Sequence, residues 1–129
     1  MDKLLIVDDS KVVRHQLKSC LEAAGFEVVV CEDGHSGHQA AMTMTDIKII
    51  ICDYNMPQMN GIEMIRLVRK IEHYKDIPVF MLTTESSKLL KETASEMGIL
   101  AWIIKPFAPA PLVAGIKKAL EQPSERARN

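Results

Sequence analysis

The sequence predicts an α/β domain, an open parallel sheet of five strands with helices on both faces. Short apolar runs alternate with stretches of helical spacing five times over, and the links between them are short. Every apolar run but the second ends in a polar or charged group suited to one shared task. Parallel neighbours need crossovers, and right-handed crossovers carry the helices over the sheet. Five units are too few for a closed eight-stranded barrel.

Leu4, Leu5, Ile6 and Val7 form the first run, closed by Asp8, Asp9 and Ser10, and Val13, Leu17, Leu21 and Ala24 then recur at helical spacing. Gly25 ends that helix as a left-handed cap, and Val28 to Cys31 make a β-branched second run. After a turn at Asp33 and Gly34, the residues Gly37, Ala40, Ala41 and Met44 give a small-residue helical face suited to close packing on a sheet. Ile49, Ile50, Ile51 and Cys52 read as a strand buried on both faces, delivering Asp53 and a turn that ends at Pro57. Gly61 is expected to supply a backbone conformation costly for other residues, ahead of a helix through Met64, Leu67, Val68 and Ile71. Pro78 opens a fourth strand, Val79 to Leu82, which ends in Thr83, Thr84 and Glu85. Leu90, Ala94 and Met97 mark a helix stopped by Gly98. Leu100 to Ile104 form the fifth strand and deliver Lys105 and Pro106. Leu112, Ile116 and Leu120 trace a last helix whose start, Ala108-Pro109-Ala110-Pro111, has no good capping side chain, although proline suits a first turn. The domain is read as residues 1–121, with a polar tail over 122–129.

The 129 residues fit one domain, a size that buries about two-thirds of the unfolded surface. With 16 basic and 17 acidic residues the net charge is −1, which gives no field for nucleic acid. No stretch approaches the roughly 18 apolar residues that cross a bilayer, and no leader-like segment opens the chain. A cytoplasmic protein without membrane insertion is expected. Cys20, Cys31 and Cys52 are odd in number, widely spaced and set in apolar runs, so they are expected to be buried reduced thiols. His35 and His38, near Glu32 and Asp33, have the spacing of a metal pair, but a solvated helix face explains them better.

In such a sheet the C-terminal strand ends share one edge, which gathers Asp8, Asp9, Asp53, Thr83 and Lys105. Asp8, Asp9 and Ser10 taken alone could cap the first helix, Asp53 the next, and Thr83 and Thr84 the fourth. Two like charges about 4 Å apart repel by roughly 4 kcal/mol at an effective dielectric of 20, so three carboxylates in one cleft call for cations. Lys105 supplies one charge. An all-oxygen donor set suits a hard divalent ion such as Mg²⁺ for the remainder.

The set Asp8-Asp9, Asp53 within Asp-Tyr-Asn-Met-Pro-Gln-Met-Asn-Gly, Thr83 after an apolar strand, and Lys105-Pro106-Phe107 resembles the receiver domain of two-component response regulators, over Lys3 to about Leu120. The resemblance implies the flavodoxin-like strand order 2-1-3-4-5. It implies that Asp53 takes a phosphoryl group from a sensor histidine kinase, and that Asp9, Asp53 and the Asn55 carbonyl hold Mg²⁺, for which Mn²⁺ can substitute. Asp8 would act through a metal-bound water. Lys105 and Thr83 would each take a phosphoryl oxygen, and the space left by Thr83 would admit Trp102, remodelling the face of helix four, strand five and helix five. Asn55 and Glu85 would flank attacking water and tune dephosphorylation, and Lys105-Pro106 would be cis. Trp102 stands where the family usually has Tyr or Phe, and Thr84 where it prefers Ala or Gly. Such a protein is a phosphoacceptor and not a turnover enzyme. No output domain follows in this chain, so its output is expected to be a downstream effector or a phosphatase. The residues around Trp102 and Lys105 are most similar to chemotaxis regulators that bind a flagellar motor switch.

Other readings keep the same fold. A phosphorelay intermediate, or a receiver excised from a longer transcriptional regulator, would look almost the same. A Mg²⁺-dependent phosphohydrolase would carry a second acid where this chain has Asn55. A flavin binder would need a phosphate-cradling turn that Asp8 and Asp9 would repel. A scaffold that is never phosphorylated would have no use for the complete set.

Overall fold

The computed structural model describes residues 1–121, and the expected tail over 122–129 lies outside them. Strands β1 (Lys3–Val7), β2 (Glu27–Cys31), β3 (Ile47–Cys52), β4 (Val79–Thr83) and β5 (Ala101–Ile104) alternate with helices α1 (Lys11–Ala23), α2 (Gly34–Thr43), α3 (Gly61–Arg69), α4 (Lys88–Glu96) and α5 (Pro109–Glu121). All neighbouring strands pair in parallel, in the order β2-β1-β3-β4-β5. Fold class and strand order are as expected.

Successive side chains of a strand point to opposite faces, so a strand covered on both sides must be apolar at every position. Leu5, Val7, Ile50, Cys52 and Met81 meet Ala41 of α2, Met64, Ile65 and Val68 of α3 and Ala94 of α4. Their neighbours Leu4, Ile6, Ile49, Ile51, Phe80 and Leu82 meet Leu17 and Leu21 of α1 and Leu112 and Ile116 of α5. Burying each such Leu or Ile side chain contributes about 1.5–3 kcal/mol, which makes the central strands the rigid part of the molecule. β2 lies at the sheet edge, and there Val28 and Val29 are half-buried and Val30 is exposed. The edge also corrects the reading of the cysteines. Cys31 on β2 and Cys20 on α1 are only partly buried, and Cys52 alone of the three is fully covered.

Local chemistry sets the helix ends. Ser10 caps α1 by accepting from the Val13 amide, and Ser87 caps α4 by accepting from the Leu90 amide. Asp33 with Ser36 and Asn60 with Glu63 form reciprocal capping boxes on α2 and α3. Gly25 and Gly98 adopt φ of 97° and 77°, as helix stops do. Gly61 differs from the expectation, because its φ is not left-handed. A Cβ there would lie 2.3 Å from the Asp53 carbonyl oxygen, so close backbone approach is what excludes a side chain. β5 begins at Ala101, and Leu100, although its amide donates to the Val79 carbonyl, is largely exposed. A 3-10 turn at Glu72–Tyr74, unforeseen in the sequence, buries Tyr74, whose hydroxyl donates to the Met44 carbonyl. No helix among the described residues is long and apolar enough to cross a membrane.

α4 has one buried residue, Ala94, and depends on Arg69 at its C-terminal end. The Arg69 guanidinium donates to Met97 O (3.1 Å) and Gly98 O (3.4 Å) after α4, and to Ile77 O (2.8 Å) and Lys75 O (3.3 Å) before β4. A cation there also suits the negative end of the helix dipole. Hydrogen bonds to a charged group are worth about 1.5–3 kcal/mol each. Arg69→Met is therefore expected to lower unfolding free energy by about 3 kcal/mol and to speed amide exchange around residues 75–77 and 97–98, with β1 and β3 still protected. Unchanged exchange at those residues would remove Arg69 from this role.

Candidate functional site

The register steps the functional groups across the C-terminal edge. Val7 pairs with Cys52, which sets Asp8 beside Asp53, and the Asp53 amide donates to the Val7 carbonyl at 2.9 Å. Cys52 pairs with Met81 and Thr83 with Ile104, so Thr83 and Lys105 each stand further out along the edge than the carboxylates, and Lys105 reaches back to them. The Lys105 amide donates to the Thr83 carbonyl, and the Lys105-Pro106 peptide is cis, as the resemblance implied.

At the centre, the Lys105 ammonium lies 2.9 Å from Asp8 Oδ2 and 2.9 Å from Asp53 Oδ2. Asp8 and Asp53 are buried, and Asp9 is exposed at the rim. Their carboxylates each bring an oxygen within 4.8 Å of the others, and this is the only such group of potential metal ligands among the described residues. His35 and His38 therefore stay a helix face. The remaining oxygens are held by the backbone: Ser10 N donates to Asp8 Oδ1 at 2.8 Å and Asn55 N to Asp53 Oδ1 at 3.1 Å. Of the capping alternatives, the one for Ser10 holds, since it caps α1; Asn60 and Ser87 cap α3 and α4, so neither Asp53 nor Thr83 serves as a cap.

Burial pushes the Asp8 carboxyl up, and the Asp53 charge adds to this; the Lys105 hydrogen bond and the Ser10 amide oppose it without cancelling it. For Lys105, burial pulls the ammonium down, but its hydrogen bonds to Asp8 and Asp53 outweigh that and raise it, so it stays charged. Among the described residues Lys105 alone forms an ion pair with these carboxylates, which leaves the pocket short of positive charge. An all-oxygen donor set of this kind fits a hard divalent cation such as Mg²⁺.

A second layer surrounds this centre. Asn55 Nδ2 donates to Glu85 Oε1 at 2.9 Å, joining the two loops that flank Asp53. The Thr83 hydroxyl accepts from the Glu85 amide at 3.2 Å, and Trp102 Nε1 donates to the Glu85 carbonyl at 2.7 Å. Trp102 is half-buried, with its ring centroid 6.2 Å from that of Tyr54. Sequence reasoning missed Tyr54, whose place directly after Asp53 was the available signal. It also missed the contact between Gly61 and Asp53, which only the folded backbone displays.

The sign of the Asp8 shift has a consequence for stability. A carboxyl raised by folding destabilises the fold once it ionises, so the cost is absent below the ordinary value of 3.8 and grows as the pH rises through the raised value. Asp8→Asn is expected to raise the melting temperature of the metal-free protein at pH 7 by several degrees, and the gain should vanish as the pH is lowered toward 3.8. A variant less stable than wild type at pH 7 would contradict this.

The family model of the response regulator receiver domain matches residues 4–117. The chemotaxis protein CheY1 of Helicobacter pylori is 40% identical over 108 residues, which are 83% of this chain and 87% of that protein. Among solved structures, the chemotaxis protein CheY4 of Vibrio cholerae aligns with a TM-score of 0.87 and 38% identity over 93% of this chain and 99% of that one. The receiver domain of a sensor histidine kinase from Pseudomonas aeruginosa, with a magnesium ion coordinated in its active site cleft, aligns with a TM-score of 0.85 over 94% of this chain and 98% of that one; at 22% identity it speaks for the fold alone. From its sequence, its sheet and its relatives, this chain belongs to the response regulator receiver domain family.

Proposed function

We propose that residues 1–121 form the receiver unit of a cytoplasmic response regulator in which Asp53 accepts a phosphoryl group from a sensor histidine kinase, and that the family's signalling role is exercised here through protein–protein binding. The observation that carries this reading is Asp53 set between a compensating ammonium and two further carboxylates, at the floor of an open strand edge.

Asp9, Asp53 and the Asn55 carbonyl would hold Mg²⁺, or Mn²⁺ in its place, with Asp8 acting through bound water. The ion supplies positive charge against the phosphoryl oxygens during in-line transfer. An Asp53 oxygen attacks phosphorus, the phosphorus–nitrogen bond of phosphohistidine breaks, and the imidazole leaves with the bonding pair, which takes a proton from water. Lys105 is already hydrogen-bonded to Asp53 and follows the new negative charge onto a phosphoryl oxygen. Thr83 accepts from the Glu85 amide, which leaves its own proton for a second phosphoryl oxygen. Movement of Thr83 would pull on Glu85, whose carbonyl holds Trp102, and so reach the face of α4, β5 and α5, where Leu89, Leu100 and Ile104 are exposed. Relatives are named as chemotaxis proteins, and the proposed effector on that face is a motor-switch protein. Asn55 and Glu85, bonded across the cleft, stand where they would set the rate of water attack, alone or with a phosphatase.

Intact mass after incubation with acetyl phosphate is expected to show one added phosphoryl group that requires Mg²⁺ and is absent from Asp53→Asn. An adduct that persists in Asp53→Asn would overturn the assignment. Lys105→Ala is expected to accept the phosphoryl group yet lose the accompanying change in fluorescence of Trp102, the only tryptophan of the chain. Wild-type fluorescence switching in that variant would remove Lys105 from the relay.

A further inference from the structure

We propose that Arg14 is a positioning residue for the cation site, fixing the peptide plane between Asp8 and Asp9 and thereby aiming the Asp9 carboxylate. The inference rests on the reading that these acids hold Mg²⁺. Arg14 lies in the first turns of α1, and its Nη1 donates to the Asp8 carbonyl oxygen at 2.7 Å, a short bond for an N–H donor. That carbonyl belongs to the Asp8–Asp9 peptide. Each remaining polar atom of Asp8 is held from another direction: its amide donates to the Cys31 carbonyl, Oδ1 accepts from Ser10 N, and Oδ2 meets Lys105.

Asp9 has no such support. Its side chain is exposed, and its direction follows from the backbone of the turn between β1 and α1. A peptide plane free to rotate would swing the Asp9 carboxylate out of the cluster in which it, Asp8 and Asp53 bring oxygens within 4.8 Å. The guanidinium of half-buried Arg14, bonded to that plane, opposes the rotation together with the bond from Ser10 N to Asp8 Oδ1. Groups that orient a metal ligand without touching the metal are worth about tenfold or more in affinity.

The effect has a sign that separates geometry from charge. Removing a cation beside an acidic cluster would, by electrostatics alone, tighten binding of a divalent cation. Removing the bond that aims Asp9 would weaken it. Calorimetric titration with MgCl₂ of wild type, Arg14→Gln, Arg14→Lys and Asp9→Asn tests this without phosphorylation. The proposal predicts about tenfold weaker binding for Arg14→Gln, an intermediate loss for Arg14→Lys, and the largest loss for Asp9→Asn. Equal or tighter binding by Arg14→Gln, with Asp9→Asn still impaired, would overturn it. Should Arg14→Gln fail to fold, Arg14→Lys decides, because a role in charge alone predicts wild-type affinity there. No saturable binding by wild type would overturn the metal reading itself, and the proposal with it.

Discussion

The molecule turns on one ammonium group placed between two buried carboxylates. Lys105 reaches 2.9 Å from both Asp8 and Asp53, and without it the end of the sheet would hold uncompensated like charges in a poorly solvated cleft. The arrangement satisfies the lysine while leaving the acids short of positive charge. Under the proposed function, a phosphoryl group with its cation would enter by rearranging an existing charge balance, with no new charge buried from nothing. Fold and chemistry meet here, because the parallel sheet alone brings residues 8, 53 and 105 together from three strands.

The surrounding structure serves that placement. Leu4 to Val7 and Ile49 to Cys52 are almost wholly buried, so the strand ends that present Asp8 and Asp53 rest on the least deformable part of the domain. Gly61 lets α3 begin against the Asp53 carbonyl, and Arg14 ties α1 to the Asp8 carbonyl. The α4 face, the proposed output side, is built differently. α4 has a single buried residue, is clamped by Arg69 at one end, and begins close to Glu85 at the other. A rigid strand edge beside a lightly packed helix is a physical basis on which the proposed acceptor's charge change would be read at a distance.

Much of this was legible in the sequence, and for identifiable reasons. Strands buried on both faces must be apolar throughout, so their runs could be seen, and a charged residue directly after such a run has to emerge at the strand end. Asp8 and Asp53 were found that way, and Thr83 and Lys105 as the polar groups that end the two later apolar runs. Arg69 was not, because an arginine at a helix end looks the same whether it is solvated or grips four carbonyls. Gly61 was read as a conformational glycine because one-dimensional information cannot show a neighbouring carbonyl. Cys31 was expected to be buried because its run is apolar, and only the position of β2 at the edge reveals the half-open face.

The most direct test of the account is to locate the phosphoryl group chemically. A protein phosphorylated from a phosphohistidine donor in the presence of Mg²⁺ would be treated with borohydride, which reduces an aspartyl phosphate to homoserine, and then mapped by peptide mass spectrometry. The account predicts homoserine at position 53 alone, and none when Mg²⁺ is withheld. Homoserine at position 8 or 9, or a borohydride-resistant phosphate elsewhere, would contradict the assignment of Asp53 as the acceptor.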